Sequence, residues 1–498
     1  MRVLFVMRNH GYMRNYASTV RMLASRGHEV VVGSRGPERH MAVDTPGYLA
    51  ELSLTHPRIR VEDLPKRSDR WTTLAGKVRA LRNALRYRHP ELRGATALAN
   101  RAQAHLAKLS PGLAARRLPR SWPMAAAISG LARLVEEAIP TDPTIDAAVA
   151  RLAPDVIVVT PLIDFVSYQV DYVKTARHLG IPVAMAVASW DNLTNKGTIA
   201  VQPDRAIVWN EAQKREAGRF HGMPADRVDV TGAQLFDDWF DRRPDSTRAE
   251  FCARTGLDAE RPFILYLCSS MFIARDEVAF VRDWLRRLRE SPIASLRNVG
   301  VLVRPHPGHA QPWADVDLSS LGGATVWPRG GEMPLFDDAK AGYFDSIYHA
   351  AAVVGINTTG MIEAGIVGRA SFTLLAPEFA ETQGGTLHFA HLTAPGFLRT
   401  AKTFEEHHSQ LAAELAAPSS AAALAPFIEQ FVRPFGLDTP ATPRVADAIE
   451  ALVTARRPPA TWHTVGRLLR PIVSGFVGAG ASDGGKQAIQ KRPSRVTR

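Results

Sequence analysis

The sequence predicts an α/β fold of two Rossmann-like, doubly wound domains with a basic helical insertion in the first. Three observations point there. Short β-branched apolar runs alternate with helix-length segments over residues 1–33 and 150–230. The same alternation starts again at residue 263. Residues 353–375 then read as strand, small polar turn, helix, strand, which is a βαβ unit on a parallel sheet.

The chain has 498 residues, enough for two or three cores, with 46% apolar and 22% charged residues. Cys252 and Cys268 are its only cysteines and both sit among apolar neighbours, which excludes a disulfide framework or a cysteine metal site. The apolar start at residues 1–7 stops at Arg8-Asn9-His10, too short for a signal-peptide core, and no run is long enough to span a bilayer. A cytoplasmic protein is expected.

In order, residues 2–7 form a strand, 8–15 a loop and 16–25 a helix packed on a sheet through Ala17, Val20 and Leu23. Arg26-Gly27-His28 stops that helix, and 29–33 is the second strand. No G-x-G-x-x-G follows the first strand, so a dinucleotide fingerprint is absent. Residues 58–64 give a third strand.

The net charge of +12 is concentrated. Residues 66–120 hold 14 Lys or Arg against two acids, Asp69 and Glu91, and residues 482–498 hold five against one. Trp71, Leu74, Val78, Leu81 and Leu85 recur at helical spacing with Arg79, Arg82 and Arg86 beside them. That is a basic amphipathic helix, either a membrane-surface element or a solvated helical insertion packed on its own domain. Contact with an anionic surface or acceptor is the favoured expectation, peripheral association with the inner face of the plasma membrane being one form of it. Nucleic acid is not expected, because only Trp71 and Tyr87 interleave with the charge.

Strands return at 154–160, 181–187, 204–209 and 228–230, with helices over 167–179 and, capped by Asn210, to His221. The loop Ala188-Ser189-Trp190-Asp191-Asn192-Leu193-Thr194-Asn195-Lys196-Gly197 follows a strand's carboxyl end, where open α/β sheets place ligands. Thr231-Gly232-Ala233-Gln234 reads as a hinge. In the second half, strands fall at 263–268, 299–303 and 324–327, and helices at 276–289 and up to His349. The expected division is therefore 1–230 (with the insertion at 66–140), 231–457, and a basic, partly disordered tail at 458–498.

The turn Asn357-Thr358-Thr359-Gly360 enters a helix whose free N–H groups and dipole suit an anion. Glu363, on the first turn, can accept hydrogen bonds from a ribose diol or reach back as the acid of a capping box. Ser269 and Ser270 end one strand, and Arg304 and His306 follow another. These can add contacts to phosphate, although Pro305 and Pro307 also make His306 a candidate for a merely rigid turn.

Thr358-Thr359-Gly360, Glu363-Ala364 and Gly368, set in two consecutive doubly wound domains, resemble the donor loop of the GT-B glycosyltransferase superfamily. That superfamily includes MurG-like transferases, CDP-glycerol glycerophosphotransferases and non-hydrolysing UDP-GlcNAc 2-epimerases. The resemblance covers about residues 1–33 and 150–400 and departs at Arg369, where a proline is usual. It implies that Asn357, Thr358, Thr359, Gly360, Ser269, Ser270, Arg304 and His306 hold a nucleotide-diphosphate sugar, with Glu363 on its ribose. It implies His10 or Asp191 as the base that deprotonates an acceptor hydroxyl, and Arg14, Asn192 and Lys196 on the acceptor side. The expected function is sugar transfer to a lipid-linked or polysaccharide acceptor in cell-surface polysaccharide or glycolipid synthesis. It needs no cofactor and, with no D-x-D in a suitable place, no metal. The alternatives are glycerophosphate transfer or UDP-sugar epimerisation on the same fold, and a non-catalytic envelope-assembly binding protein.

Overall fold

The computed structural model describes residues 1–36, 45–116, 118–165, 167–454 and 461–479. The tail from residue 480 lies outside the described residues. The first sheet contains β1 (Arg2–Met7), β2 (Glu29–Ser34), β3 (Ile59–Asp63), β4 (Val156–Thr160), β5 (Val183–Ala186), β6 (Arg205–Val208) and β7 (Val228–Val230). Their order is β3-β2-β1-β4-β5-β6-β7 and every pairing is parallel. Val3 to Met7 are all fully buried, as expected of a central parallel strand covered by helices on both faces. The second sheet contains β8 (Phe263–Leu267), β9 (Gly300–Arg304), β10 (Ala324–Val326), β11 (Ala352–Gly355), β12 (Ser371–Leu374) and β13 (Leu398–Ala401). It repeats the pattern, β10-β9-β8-β11-β12-β13, again all parallel. The strand order reverses between β1 and β4 in one sheet and between β8 and β11 in the other, so each sheet opens a crevice at its carboxyl ends.

The chain crosses between the two sheets twice at one place. Gly232, at φ +92°, makes the first crossing, and a Cβ there would lie 2.8 Å from Ala441 Cβ. The second crossing is pinned by Asp237, which accepts from Ala441 N at 3.0 Å and Thr442 N at 2.6 Å and pairs with Arg433 at 3.0 Å. The helix Ala441–Glu450 then packs on Met13–Ser25, where Val445, Ala446 and Ile449 join Tyr16 and Val20 in one core.

Two expectations meet a different structure. Thr72–Arg86 is a helix, but its arginines are not a solvated face. Arg82 and Arg86 are 8% and 5% exposed. Arg82 donates to Ala200 O at 2.6 Å, and Arg86 donates to the carbonyls of Leu193, Lys196 and Gly197. Arg79 pairs with Glu136 and Asp171, both at 2.8 Å, and Arg67 with Asp171 at 2.9 Å. The reason is local: the short helix Asn192–Asn195 ends with carbonyls that need donors. Second, within the stretch 458–498 expected as a tail, Thr461–Ala479 is one helix despite Pro471 in its interior. It lies against Trp122–Ala138, with Leu469 and Val473 packed on Ala138 and Ile139 and with Gly466 backed closely onto Glu137. Packing outweighs propensity here.

Candidate functional site

The carboxyl ends of the two sheets face one another across a cleft of about 480 Å³. Its first-lobe wall carries Tyr12, Arg14, Asp191, Asn192 and Lys196. Its second-lobe wall carries Ser270, Arg304, His306, Thr358, Thr359, Gly360 and Glu363. Residues far apart in sequence thus converge where the topology opens both crevices.

The turn after β11 delivers Glu363, but not as a capping box. Thr359 makes no side-chain cap bond, and Glu363 Oε2 accepts from Tyr343 Oη at 2.5 Å. Tyr343 comes from the helix Asp337–Tyr348. Gly360 permits the approach, since a Cβ there would sit 2.5 Å from Leu267 Cδ1 and 2.8 Å from Tyr343 Oη. Burial pushes the Glu363 carboxyl up to about 7, against the Tyr343 hydrogen bond and the charge of Arg14. The helix that follows, Gly360–Ile366, has only seven residues, so most of the positive field on this wall comes from side chains.

Arg304 supplies much of that field. It is 4% exposed, its guanidinium lies 5.0 Å from the ring centres of both Trp327 and Tyr343, and Nη1 donates to Ser346 Oγ at 2.9 Å. Nη2 is 3.9 Å from Glu332 and donates no hydrogen bond among the described residues. Burial lowers its pKa to about 10, so it remains a cation at neutral pH. His306 is different. Burial, then Arg14 and His309, push its pKa down to about 4. Its Nδ1 accepts from Gly308 N at 3.0 Å, which puts the proton of the neutral ring on Nε2. His306 can therefore donate a hydrogen bond but does not neutralise a diphosphate by charge.

On the opposite wall, burial pushes the Asp191 carboxyl up. Lys196, His388 and hydrogen bonds from Ser189 and Asn195 outweigh burial and hold it at about 2. Lys196 is held above its ordinary value: burial opposes its charge, but Tyr12, Asp191 and Asp164 outweigh that. Asn192 turns inward and accepts from Ala188 N at 3.1 Å, fixing the loop. Arg14 reaches across the cleft, donating to Met333 Sδ at 2.9 Å, and its charge is felt by His306 and Glu363. It thus faces the second-lobe wall that was expected to hold the donor.

Three expected site residues do not line the cleft. His10 is 7% exposed, lies near Asp63 rather than Asp191, and has both ring nitrogens unpartnered among the described residues. Ser269 is fully buried and its Oγ accepts from Asn357 N at 3.4 Å. Asn357 is 4% exposed and donates to Thr382 O at 2.7 Å and to His388 Nε2 at 3.3 Å. Ser269 and Asn357 brace the loop from behind.

Residues not singled out in the sequence complete the site. Tyr343 and Trp327 shape Arg304 and Glu363. Trp190 Nε1 donates to Thr359 Oγ1 at 3.2 Å, so an indole from the first lobe touches the turn of the second. None of these has a local motif; Trp190 alone was visible, as part of a polar loop after a strand.

Two doubly wound domains with facing carboxyl ends and a cleft between them define a protein of the GT-B fold. Solved structures of similar fold include the UDP-GlcNAc 2-epimerase from Neisseria meningitidis bound to UDP-GlcNAc, with TM-score 0.53, 11% identity, and 90% of this chain and 100% of that one covered. They also include a glycosyltransferase from Rickettsia africae ESF-5, at 0.52 and 9%, covering 91% and 99%. The UDP-GlcNAc 2-epimerase from Methanocaldococcus jannaschii matches at 0.51 and 11%, covering 90% and 99%. At these identities the likeness is one of fold. No family model and no curated protein matches the chain.

Proposed function

We propose that this chain is an enzyme acting on a nucleotide-diphosphate sugar, transferring the sugar to an acceptor hydroxyl. The observation that carries this reading is the second-lobe wall: Glu363, oriented by Tyr343, stands beside the Thr358-Thr359-Gly360 turn and the incompletely satisfied Arg304 guanidinium. A carboxylate with one oxygen committed and one open suits a ribose hydroxyl, and the neighbouring cation and hydroxyls suit the diphosphate next to it. Structures of similar fold bound to UDP-GlcNAc or to UDP agree with a uridine nucleotide as first choice.

The chemistry follows from the walls. Arg304 and Arg14 stabilise the charge that builds on the departing diphosphate, and His306 donates through Nε2. Asp191 faces them as the anionic group for the acceptor hydroxyl, with Lys196 holding it ionised. At about 2 it is a weak base, so it takes up the proton only as the new bond to the sugar forms. Much of the barrier reduction is assigned to positioning and charge.

The test is thermal unfolding with a panel of nucleoside diphosphates, NDP-sugars and CDP-glycerol, followed by nuclear magnetic resonance of the sugar with and without lipid-linked and polysaccharide acceptors. Stabilisation by a diphosphate nucleotide and acceptor-dependent release of it are expected. Absence of stabilisation by every nucleotide removes the proposal. Epimerisation is the second reading, favoured by one observation: Asp191, Glu332 and Glu363 line the cleft together, more carboxylates than transfer needs. Its signature is a new sugar epimer formed without any acceptor.

A further inference from the structure

The helices Trp122–Ala138 and Thr461–Ala479 pack against each other, yet each turns an apolar face outward. On the first, Met124 and Leu131 are 56% and 64% exposed. Pro123, Ala127 and Gly130 are exposed with them. On the second, Val465, Leu468 and Ile472 are 41%, 75% and 63% exposed. Their spacing, i, i+3 and i+7, puts them on one stripe, and Pro471 and Gly475 share that outward sector. The inward sides are already used, through Leu469, Val473 and Gly466 on one helix and Ala125, Ala132 and Ala138 on the other. Surface helices of a soluble protein carry polar residues on such a face; an apolar one needs cover.

The surroundings say what covers it. Arg467 and Arg470 flank the stripe and, with His178 and the paired Arg177 and Glu137, line a small cleft of about 60 Å³ beside the helix. The acids of this region are turned in: Glu136 and Glu137 are 0% and 4% exposed and are paired with Arg79, Lys174 and Arg177. From residue 461 to the last residue, the sequence has seven Lys or Arg against one acid, Asp483. An apolar stripe bordered by cations matches the boundary between anionic headgroups and acyl chains. A second copy of this chain fits less well, because it brings the same cations while the nearby acids Glu136 and Glu137 are turned in. No single helix among the described residues is long and apolar enough to cross a membrane, so the contact lies along the surface.

We propose that the outward faces of these two helices dock the protein onto an anionic phospholipid bilayer. Of the two regions expected to carry the membrane contact, residues 66–120 and the tail, this shifts the weight off the first, since its Arg67, Arg79, Arg82 and Arg86 serve internal contacts. Sugar-nucleotide binding is separate from it and can stand or fall independently.

The experiment is co-sedimentation of the full chain with phosphatidylcholine vesicles, with and without phosphatidylglycerol. It is run on the parent and on two double variants, Leu468→Glu with Ile472→Glu and Met124→Glu with Leu131→Glu. The parent pellets with the anionic vesicles, weakly with the neutral ones, and less as salt rises. Each double variant loses roughly tenfold in partitioning, while its melting temperature stays that of the parent because these side chains are exposed. Equal pelleting with both vesicle types, or variants that pellet like the parent, overturns the proposal. So does a parent dimer, seen by sedimentation velocity, that the same variants dissociate, because the face then belongs to a second copy.

Discussion

Glu277 is a buried carboxyl and Glu363 a half-buried one in the cleft wall, both with few charged neighbours, and each makes a prediction. Glu277 accepts from Tyr266 Oη at 3.2 Å and Ser269 N at 2.8 Å, and burial raises its pKa to about 8. Between the unfolded value of 4.5 and about 8 the folded chain holds a proton that the unfolded chain has released. Stability therefore falls as pH rises through that window. Glu277→Gln keeps an acceptor for Ser269 N and removes this fall, an effect on the order of 1–3 kcal/mol in urea unfolding at pH 8 relative to pH 5. For Glu363 the window runs from 4.5 to about 7, and the sign for folding is the same. For binding the sign is opposite: a ribose hydroxyl needs the ionised acceptor, so nucleotide affinity rises through pH 7. Glu363→Gln should weaken it about tenfold at pH 8, near 1.4 kcal/mol, and flatten the profile in isothermal titration. Asp191 at about 2 gives the contrasting expectation, with no titration of its own above pH 4 in a kcat/KM profile, and Asp191→Asn removing turnover while leaving nucleotide affinity.

At the scale of elements, buried parallel strands announce themselves. Val156 to Val159 and Val353-Val354 are unbroken apolar runs because helices cover both faces of each sheet. The turn before Gly360 was legible for the same reason, lying between two such runs. Glu363 was visible by its spacing, but its partner Tyr343 was not, because that contact joins helices twenty residues apart and depends on a missing Cβ at Gly360. Gly360→Ala should displace Tyr343 and cost about tenfold in nucleotide affinity while the fold persists. The arginines of Thr72–Arg86 misled for another reason: charge in a sequence does not say whether it meets water or carbonyl oxygens. Arg86→Met leaves the Gly197 carbonyl without its donor, while Lys196 O keeps Tyr87 Oη and Leu193 O keeps His221 Nε2, and should destabilise by about 1–3 kcal/mol. His10, a catalytic candidate by the resemblance, is buried near Asp63 and is not among the residues lining the cleft, which its place after β1 could not reveal.

For the whole molecule, both crossings between the lobes run through one point, where Gly232 meets Ala441 and Asp237 gathers Arg433, Ala441 and Thr442. Gly232→Ala combines an unfavourable φ with a 2.8 Å contact and should lower stability by about 1–3 kcal/mol, read as a reduced urea midpoint. Trp190 shares a core with Ala233, Phe236 and Val432 of that crossing, and its Nε1 donates to Thr359 Oγ1 of the second lobe. This gives the protein an intrinsic optical reporter. An indole whose N–H is bound to the Thr359 hydroxyl changes its emission when a ligand claims that hydroxyl, so titrating nucleotide while exciting at the tryptophan band reads occupancy of the cleft without any label, and Trp190→Phe removes its share of the change, leaving that of Trp209 and Trp239 on the same cleft.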